Sequence, residues 1–244
     1  MRTMALPAAA SSRATAVAAL NPPLGVERGH AARGVVLRIH PRWTLVGKRA
    51  VDVLGALLGL VTLGPLLFAI ALWIRLDSPG PALFAHERVG RGGRRFRCLK
   101  FRTMRRDAER LLRADPVLLA RYLRHDFKLP ADEDPRITRA GRFLRRTSLD
   151  ELPQLLNVLR GDMSLVGPRP VVQPELERYA GRTGLLLSVK PGMTGAWAVS
   201  GRSAVGYPAR AHLELDYVAS WSLWLDLRLL WRTIPRVLGA HGAH

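Results

Sequence analysis

Two adjacent carboxylates, Asp150 and Glu151, stand near the start of the stretch TSLDELPQLLNVLRGDMSLVGPRP at 147–170, which closes with Arg169 between two prolines. Ser148 and Glu151 have the S-x-x-E spacing of a capping box, which predicts a helix from about Ser148 to Arg160 with Gly161 as its stop. Pro153 fits only near a helix start. Asp150 would then lie in the first turn, where the positive end of the helix dipole favours its ionised form. An ionised carboxylate among arginines can act as a nucleophile toward phosphorus. The same spacing equally suits two acids that merely cap a helix.

A second acidic group, Asp132–Glu133–Asp134, has the D-x-D spacing with which metal-dependent glycosyltransferases hold a nucleotide–metal complex. Pro135 follows directly, and an exposed acidic turn is the expected structure. The next stretch, RITRAGRFLRR, carries five arginines. Arg139, Arg142 and Arg146 recur at i, i+3 and i+7, a helix face that would turn several guanidinium forks toward Asp150. A helix resting on anionic headgroups has the same pattern. Cys98 is the single cysteine, which excludes an internal disulfide framework, and a small packed residue is expected there. The seven histidines show no H-E-x-x-H or Cys/His spacing, so zinc is not expected.

The elements that would carry these groups begin with a membrane segment. Residues 1–45 read as a mobile basic leader, rich in Ala, Ser and Pro near its start, and not as a signal peptide. From Val53 to Ile74 runs a stretch of 22 residues without a charge. As one helix it would reach about 33 Å, enough for a bilayer core of about 30 Å. Gly64–Pro65 interrupts its midpoint, and both flanks are basic, with Lys48 and Arg49 before and Arg75 after. Such flanks prefer the cytoplasmic side, so a re-entrant hairpin that breaks at Gly64–Pro65 is expected over 46–76, with a single kinked crossing as the alternative. Asp52 needs a partner there, with Lys48 or Arg49 about a turn away.

Residues 77–244 would form the body. Two extended runs around Gly90–Gly93 predict a hairpin bearing Lys100 and Arg102, with Phe84, Phe96 and Phe101 interleaved. A charged helix follows over Arg105–Lys128, broken near Pro116. The glycine-rich run at 190–203 is a loop without an assigned role. At the C-terminal end Leu223, Leu227, Leu230 and Ile234 form one stripe and Arg228, Arg232 and Arg236 another. With Trp221, Trp224 and Trp231 they suit an interfacial helix, although a core-facing helix reads almost the same. The net charge of +19 and pI near 11.6 require an anionic partner: nucleic acid, a phospholipid surface or a phosphorylated substrate.

From about Lys48 onward the chain resembles the bacterial sugar transferase family, the monotopic polyprenyl-phosphate phosphoglycosyl transferases. The likeness rests on KRAVDV, the Pro65-interrupted apolar segment, SPGPALF, ERVGRGGRRF, LKFRTM, DPRITRAGRFLRRTSLDELPQLLNVLRGDMSLVGPRP, KPGMTGAW, SGRS and WSLWLDLRLL, in that order. It implies an α/β, mainly helical, monotopic fold with a re-entrant hairpin and amphipathic interfacial helices, at the cytoplasmic face of the bacterial inner membrane. It also implies attack by Asp150 on the sugar-bearing phosphate of a UDP-sugar, loss of UMP, and transfer of the phosphosugar to undecaprenyl phosphate. Glu151 would hold Mg²⁺ or assist proton transfer, and Lys100, Arg145 and Arg169 would bind phosphate, with Arg142 beside them. Anionic lipids are the expected surface and nucleic acid is not an expected partner. Where relatives often read L-D-L-x-Y this chain has Glu214 with Asp216 two residues on, and A-W-A stands at 196–198 in place of L-W-Q. The rival readings are a D-x-D glycosyltransferase that releases UDP and a non-enzymatic basic membrane or nucleic-acid binder.

Overall fold

The computed structural model describes residues 41–124 and 129–238. Most of the expected leader lies outside the described residues, and its last residues belong to the first helix. That helix, α1 (Arg42–Asp77), is 36 residues long, about 54 Å at 1.5 Å per residue. It runs through Pro65 without interruption, so the break expected at Gly64–Pro65 is absent. A proline removes one backbone donor, but Gly64 before it has no Cβ to meet the pyrrolidine ring, and the helix absorbs the loss.

One stripe of α1 is buried, through Asp52, Ala56, Ile70 and Ile74. The opposite side exposes Leu54, Leu58, Val61, Phe68, Leu72 and Leu76. Both ends are tied to the same body. At the N-terminal end Lys48 donates to Asp226 at 2.6 Å, and Arg49 donates to the carbonyls of Val158 and Leu159. At the C-terminal end Asp77 accepts the Ala140 N–H, and Arg102 donates to the carbonyls of Ser78 and Pro79 at 2.6 Å each. Among the described residues α1 is the one helix long and apolar enough to cross a membrane. Asp52 is paired with neither Lys48 nor Arg49; its Oδ1 accepts from the Ser164 hydroxyl and the Leu165 N–H.

The hairpin forms as the glycines predict: β1 (Leu83–Val89) pairs antiparallel with β2 (Arg95–Phe101) around a turn in which Gly92 and Gly93 have positive φ. The charged region splits at Pro116 into α2 (Ala108–Ala114) and α3 (Pro116–Arg124). Asp115 caps the second piece by accepting from the N–H groups of Val117 and Leu118. Next come α4 (Arg139–Thr147), a 3₁₀ turn at Leu149–Glu151 and α5 (Gln154–Arg160), which stops at Gly161 in the left-handed conformation. A two-residue-wide parallel ladder joins β3 (Ser164–Val166) to β4 (Gly192–Thr194). Short helices α6 (Thr183–Leu186) and α7 (Ala196–Val199) precede α8 (Ala209–Ser220) and α9 (Leu223–Leu238).

Two close approaches position the site. A Cβ on Gly141 would lie 2.0 Å from the Thr103 carbonyl, so only glycine lets α4 abut the end of β2. A Cβ on Gly192 would lie 2.0 Å from the Gly167 nitrogen, where β4 presses on the loop leading to Arg169. The core is divided: Ala56, Leu155, Val158, Met163 and Cys98 pack under the first half of α1, and Ile70, Ile74, Phe101, Ala140 and Leu144 under the second.

In α9 the buried positions are Asp226 and Leu229, while Trp224, Leu227, Trp231 and Ile234 face outward. Trp231 is 76% exposed. Trp221 is a correction to the interfacial set: it lies buried and donates to Asp226. The outward face joins aromatic rings to Arg228 and Arg232, the composition of a helix at a membrane interface.

Candidate active site

Asp150 and Glu151 occupy the 3₁₀ turn between α4 and α5, not the first turn of a long helix. The expected capping box does not form. Ser148 ends α4 with φ 59° and accepts a hydrogen bond from Arg202, while Glu151 points at Lys100. Pro153 instead precedes Gln154, the first residue of α5. Local spacing therefore located the turn, but the side chains answer to partners from other parts of the chain.

Lys100, on β2, reaches Glu151 Oε1 at 2.6 Å and lies 3.9 Å from Asp150 Oδ2. Arg169 approaches the same Glu151 oxygen at 3.5 Å from the opposite flank. Arg145 anchors its Nε on the Thr103 hydroxyl at 2.9 Å. Asp150 is only 9% exposed, and its carboxylate accepts no hydrogen bond among the described residues. Burial pushes the Asp150 carboxyl up to about 6 against the pull of Lys100, with the neighbouring charge of Glu151 adding to the rise. Burial would raise Glu151 too, but Lys100 and Arg169 outweigh it and hold that carboxyl down at about 2. The two acids are thus driven apart: one stays charged, and the other stays poised and uncommitted. This corrects the expectation that a helix dipole would stabilise ionised Asp150.

Arg142, Arg139 and Arg146 are exposed on α4 and take part in no ion pair among the described residues. Arg145, one residue off that face, is the α4 arginine that faces the dyad. Glu214 is buried and fully engaged: its carboxylate accepts from the Arg169 backbone N–H at 3.0 Å, from Arg210 at 3.4 Å and from the Tyr179 hydroxyl. Asp216 is exposed on α8 and apart from this network. The D-x-D pair separates as well. Asp132 is exposed, but Asp134 is buried and bidentate with Arg136 at 2.8 Å per contact, so it is not part of an exposed turn. Cys98 is buried as expected, and burial raises its thiol.

A pocket opens beside the dyad, lined by Lys100, Glu151, Gln154, Arg169, Met193 and Arg88. Arg88 had no role in the sequence reading. The available signal was hairpin register: Phe84 pairs with Lys100, so His86 and Arg88 share the sheet face of Lys100. Among the described residues no group of three His, Cys, Asp or Glu side chains gathers as a metal site. Glu151 Oε2 accepts no hydrogen bond there, so one carboxylate oxygen is open to a cation that brings phosphate and water as its other ligands.

Residues 43–240 match the bacterial sugar transferase family. The chain is 51% identical over 201 residues to a UDP-galactose-lipid carrier transferase of Erwinia amylovora, covering 81% of this chain and 41% of the relative. It is 48% identical to an undecaprenyl-phosphate galactose phosphotransferase of Salmonella typhimurium, with 81% and 41% covered. An exopolysaccharide production protein ExoY of Sinorhizobium fredii is 42% identical, with 82% and 88% covered. The chain thus spans about two fifths of the length of the first two relatives.

Proposed function

The chain belongs to the bacterial sugar transferase family, and from that premise we propose that it moves a sugar 1-phosphate from a UDP-sugar to undecaprenyl phosphate through a phosphosugar bound to Asp150. The observation that carries the reading is a buried aspartate with open lone pairs, set against a lysine and two arginines. An Asp150 oxygen forms a bond to the sugar-bearing phosphorus, and the bridging P–O bond breaks with its electron pair leaving on UMP. An oxygen of the acceptor phosphate then bonds to the same phosphorus, and the Asp150–phosphorus bond breaks to restore the carboxylate.

Lys100 sits between the two carboxylates and meets charge that develops on the phosphoryl oxygens. Glu151, held ionised, fixes Lys100 and Arg169 and is unsuited to give up a proton. Its open oxygen fits one contact to Mg²⁺, which when bound would neutralise phosphate charge. The exposed apolar side of α1 and the aromatic, arginine-bearing face of α9 support a monotopic seat in the cytoplasmic leaflet of the inner membrane, on anionic lipid. A seat without a full crossing is supported by the attachment of both α1 ends to one body. The D-x-D alternative is disfavoured because Arg136 occupies both oxygens of Asp134.

The direct test is release of UMP from a panel of UDP-sugars by membranes supplied with undecaprenyl phosphate. Intact-mass detection of a phosphosugar on the wild-type chain, absent from Asp150→Asn, is the expected companion result. An active Asp150→Asn variant, or UDP as the nucleotide product, would sink the mechanism.

A further inference from the structure

The pocket beside the dyad holds more positive charge than its acids account for. Lys100 and Arg169 both bear on Glu151, at 2.6 and 3.5 Å. Arg88 lines the same pocket, and among the described residues its one side-chain hydrogen bond is a long contact of 3.4 Å from Nη1 to the Pro170 carbonyl. It forms no ion pair among the described residues. The acid next to it apart from Glu151 is Glu175, which already lies 3.9 Å from Arg210. Burial and the nearby Arg169 guanidinium pull Arg88 below the usual arginine range. Two guanidiniums crowded in a half-buried pocket repel each other unless an anion lies between them.

Register indicates which anion. Arg88 and Lys100 share a face of the hairpin but sit four positions apart along it, with small, buried Cys98 between them. At about 3.4 Å per residue that is roughly 14 Å between backbone positions, a separation at which two long side chains can serve neighbouring phosphates. Lys100 serves the phosphorus that Asp150 attacks. Arg88 is left for a phosphate one step further from the carboxylate.

Displacement at phosphorus adds a constraint of its own. With Asp150 bonding on one side, the leaving oxygen departs from the opposite side. When the Asp150–phosphorus bond is later broken in line, the incoming oxygen must arrive from that same opposite side. The phosphate of departing UMP and the phosphate of the arriving lipid therefore need one location in turn. A site that accepts two chemically similar phosphates, and releases one before taking the other, needs cations that are not locked to protein acids. Arg88 meets that need, whereas Lys100 does not.

We propose that Arg88 forms a single phosphate subsite used first by the nucleotide monophosphate and then by the polyprenyl phosphate. This rests on the transfer reaction proposed above. The subsite predicts that UMP and the lipid phosphate exclude each other, and that losing Arg88 weakens both half-reactions together. A residue that served only to brace Pro170 would alter stability without this paired effect.

The test uses the full chain in detergent or nanodiscs, as wild type, Arg88→Ala and Arg88→Lys. UMP binding is measured first by equilibrium dialysis, with no turnover required. Arg88→Ala should bind UMP about 10- to 100-fold more weakly, the loss expected for a charge-assisted phosphate contact, and Arg88→Lys should lie between. Adduct formation from a UDP-sugar and adduct discharge by undecaprenyl phosphate should slow by similar factors, with thermal melting unchanged in Arg88→Lys. Equal UMP binding by all three proteins, or a defect confined to one half-reaction, overturns the subsite. A wild-type chain that binds UMP in an Arg88-dependent way but releases none from any UDP-sugar would instead overturn the transfer reaction and leave the monophosphate site standing.

Discussion

Asp150 and Asp226 are both buried aspartates in a strongly basic chain, yet their surroundings are opposite. Asp226 accepts from Lys48 at 2.6 Å, from the Tyr217 hydroxyl at 2.7 Å and from the Trp221 indole at 3.0 Å. Among the described residues Asp150 accepts no hydrogen bond, and its nearest cation stands at 3.9 Å. Asp134 and Glu214 follow the pattern of Asp226, each saturated by arginine and further donors. A saturated buried acid stabilises the fold because its desolvation is offset by several directed hydrogen bonds. An unsaturated one costs stability and retains lone pairs for chemistry. Burial alone does not mark a functional carboxylate; burial without partners does.

Substitution at the two aspartates should break this contrast most sharply. Asp150→Asn should lower transfer by about 10⁴-fold or more, since a nucleophile has no substitute within reach. The same change should leave melting unaffected or raise it, because it removes a charge held in a poorly solvating place. Asp226→Ala should do the reverse. Leaving the Tyr217 hydroxyl, the Trp221 indole and half-buried Lys48 without this carboxylate should cost about 3 kcal/mol, read as a lower denaturation midpoint in detergent, with residual activity in the fraction that stays folded.

The pH dependence sharpens the comparison next. Asp150, with its folded value raised to about 6, loses its charge as pH falls through that value, so transfer should drop on the acid side of about pH 6. Its stability contribution has the opposite sign: the folded state binds the proton more tightly than the unfolded chain, so this group destabilises increasingly as pH rises from about 4 to 6. Glu151, held at about 2, contributes stability that is present above its ordinary value near 4.5 and fades as pH falls toward 2. A pH–rate profile set beside pH-dependent melting separates the two. A rate profile flat from pH 5 to 8 would count against Asp150 as the titrating nucleophile.

The smallest effect is expected at the D-x-D pair. Asp132→Ala should change turnover less than about twofold, as an exposed charge far from any partner. Asp134→Ala, which strands Arg136, should cost about 2 kcal/mol of stability. A loss of turnover at Asp132 comparable to that at Asp150 would revive the metal-dependent glycosyltransferase reading.

Several parts of this molecule were legible in order along the chain. The hairpin around Gly90–Gly93, the division at Pro116, the stop at Gly161 and the apolar length of α1 follow from turn chemistry and periodicity, which act over a few residues. The Asp150–Glu151 pair was legible as well, and so was its company of basic residues. What misled were inferences about partners made from neighbours in sequence. Ser148 fitted a capping box but answers to Arg202, and Asp52 is held by Ser164 rather than by the basic residues one turn away. Arg142 belonged to a regular face that turned out to point outward, while Arg145 beside it turned inward. Pro65 had the marks of a break, but the helix continues through it, with Gly64 offering no Cβ to the pyrrolidine ring.

The sequence by itself determined the hairpin, the division at Pro116, the stop at Gly161, the excess of positive charge and the family, because each depends on local pattern or on the chain read end to end; β4 and α7, within the run at 190–203 that reads as a loop, it did not. Only the tertiary structure decided which acids are spent and which is free. Lys48 finds Asp226 across 178 positions, and Lys100 finds Glu151 across 51. A carboxylate's protonation depends on the water it loses and the cations it meets, and both are set by packing that no local spacing encodes. Asp150 is identical in composition to ten other aspartates in its chain; its distinction is the place where folding left it.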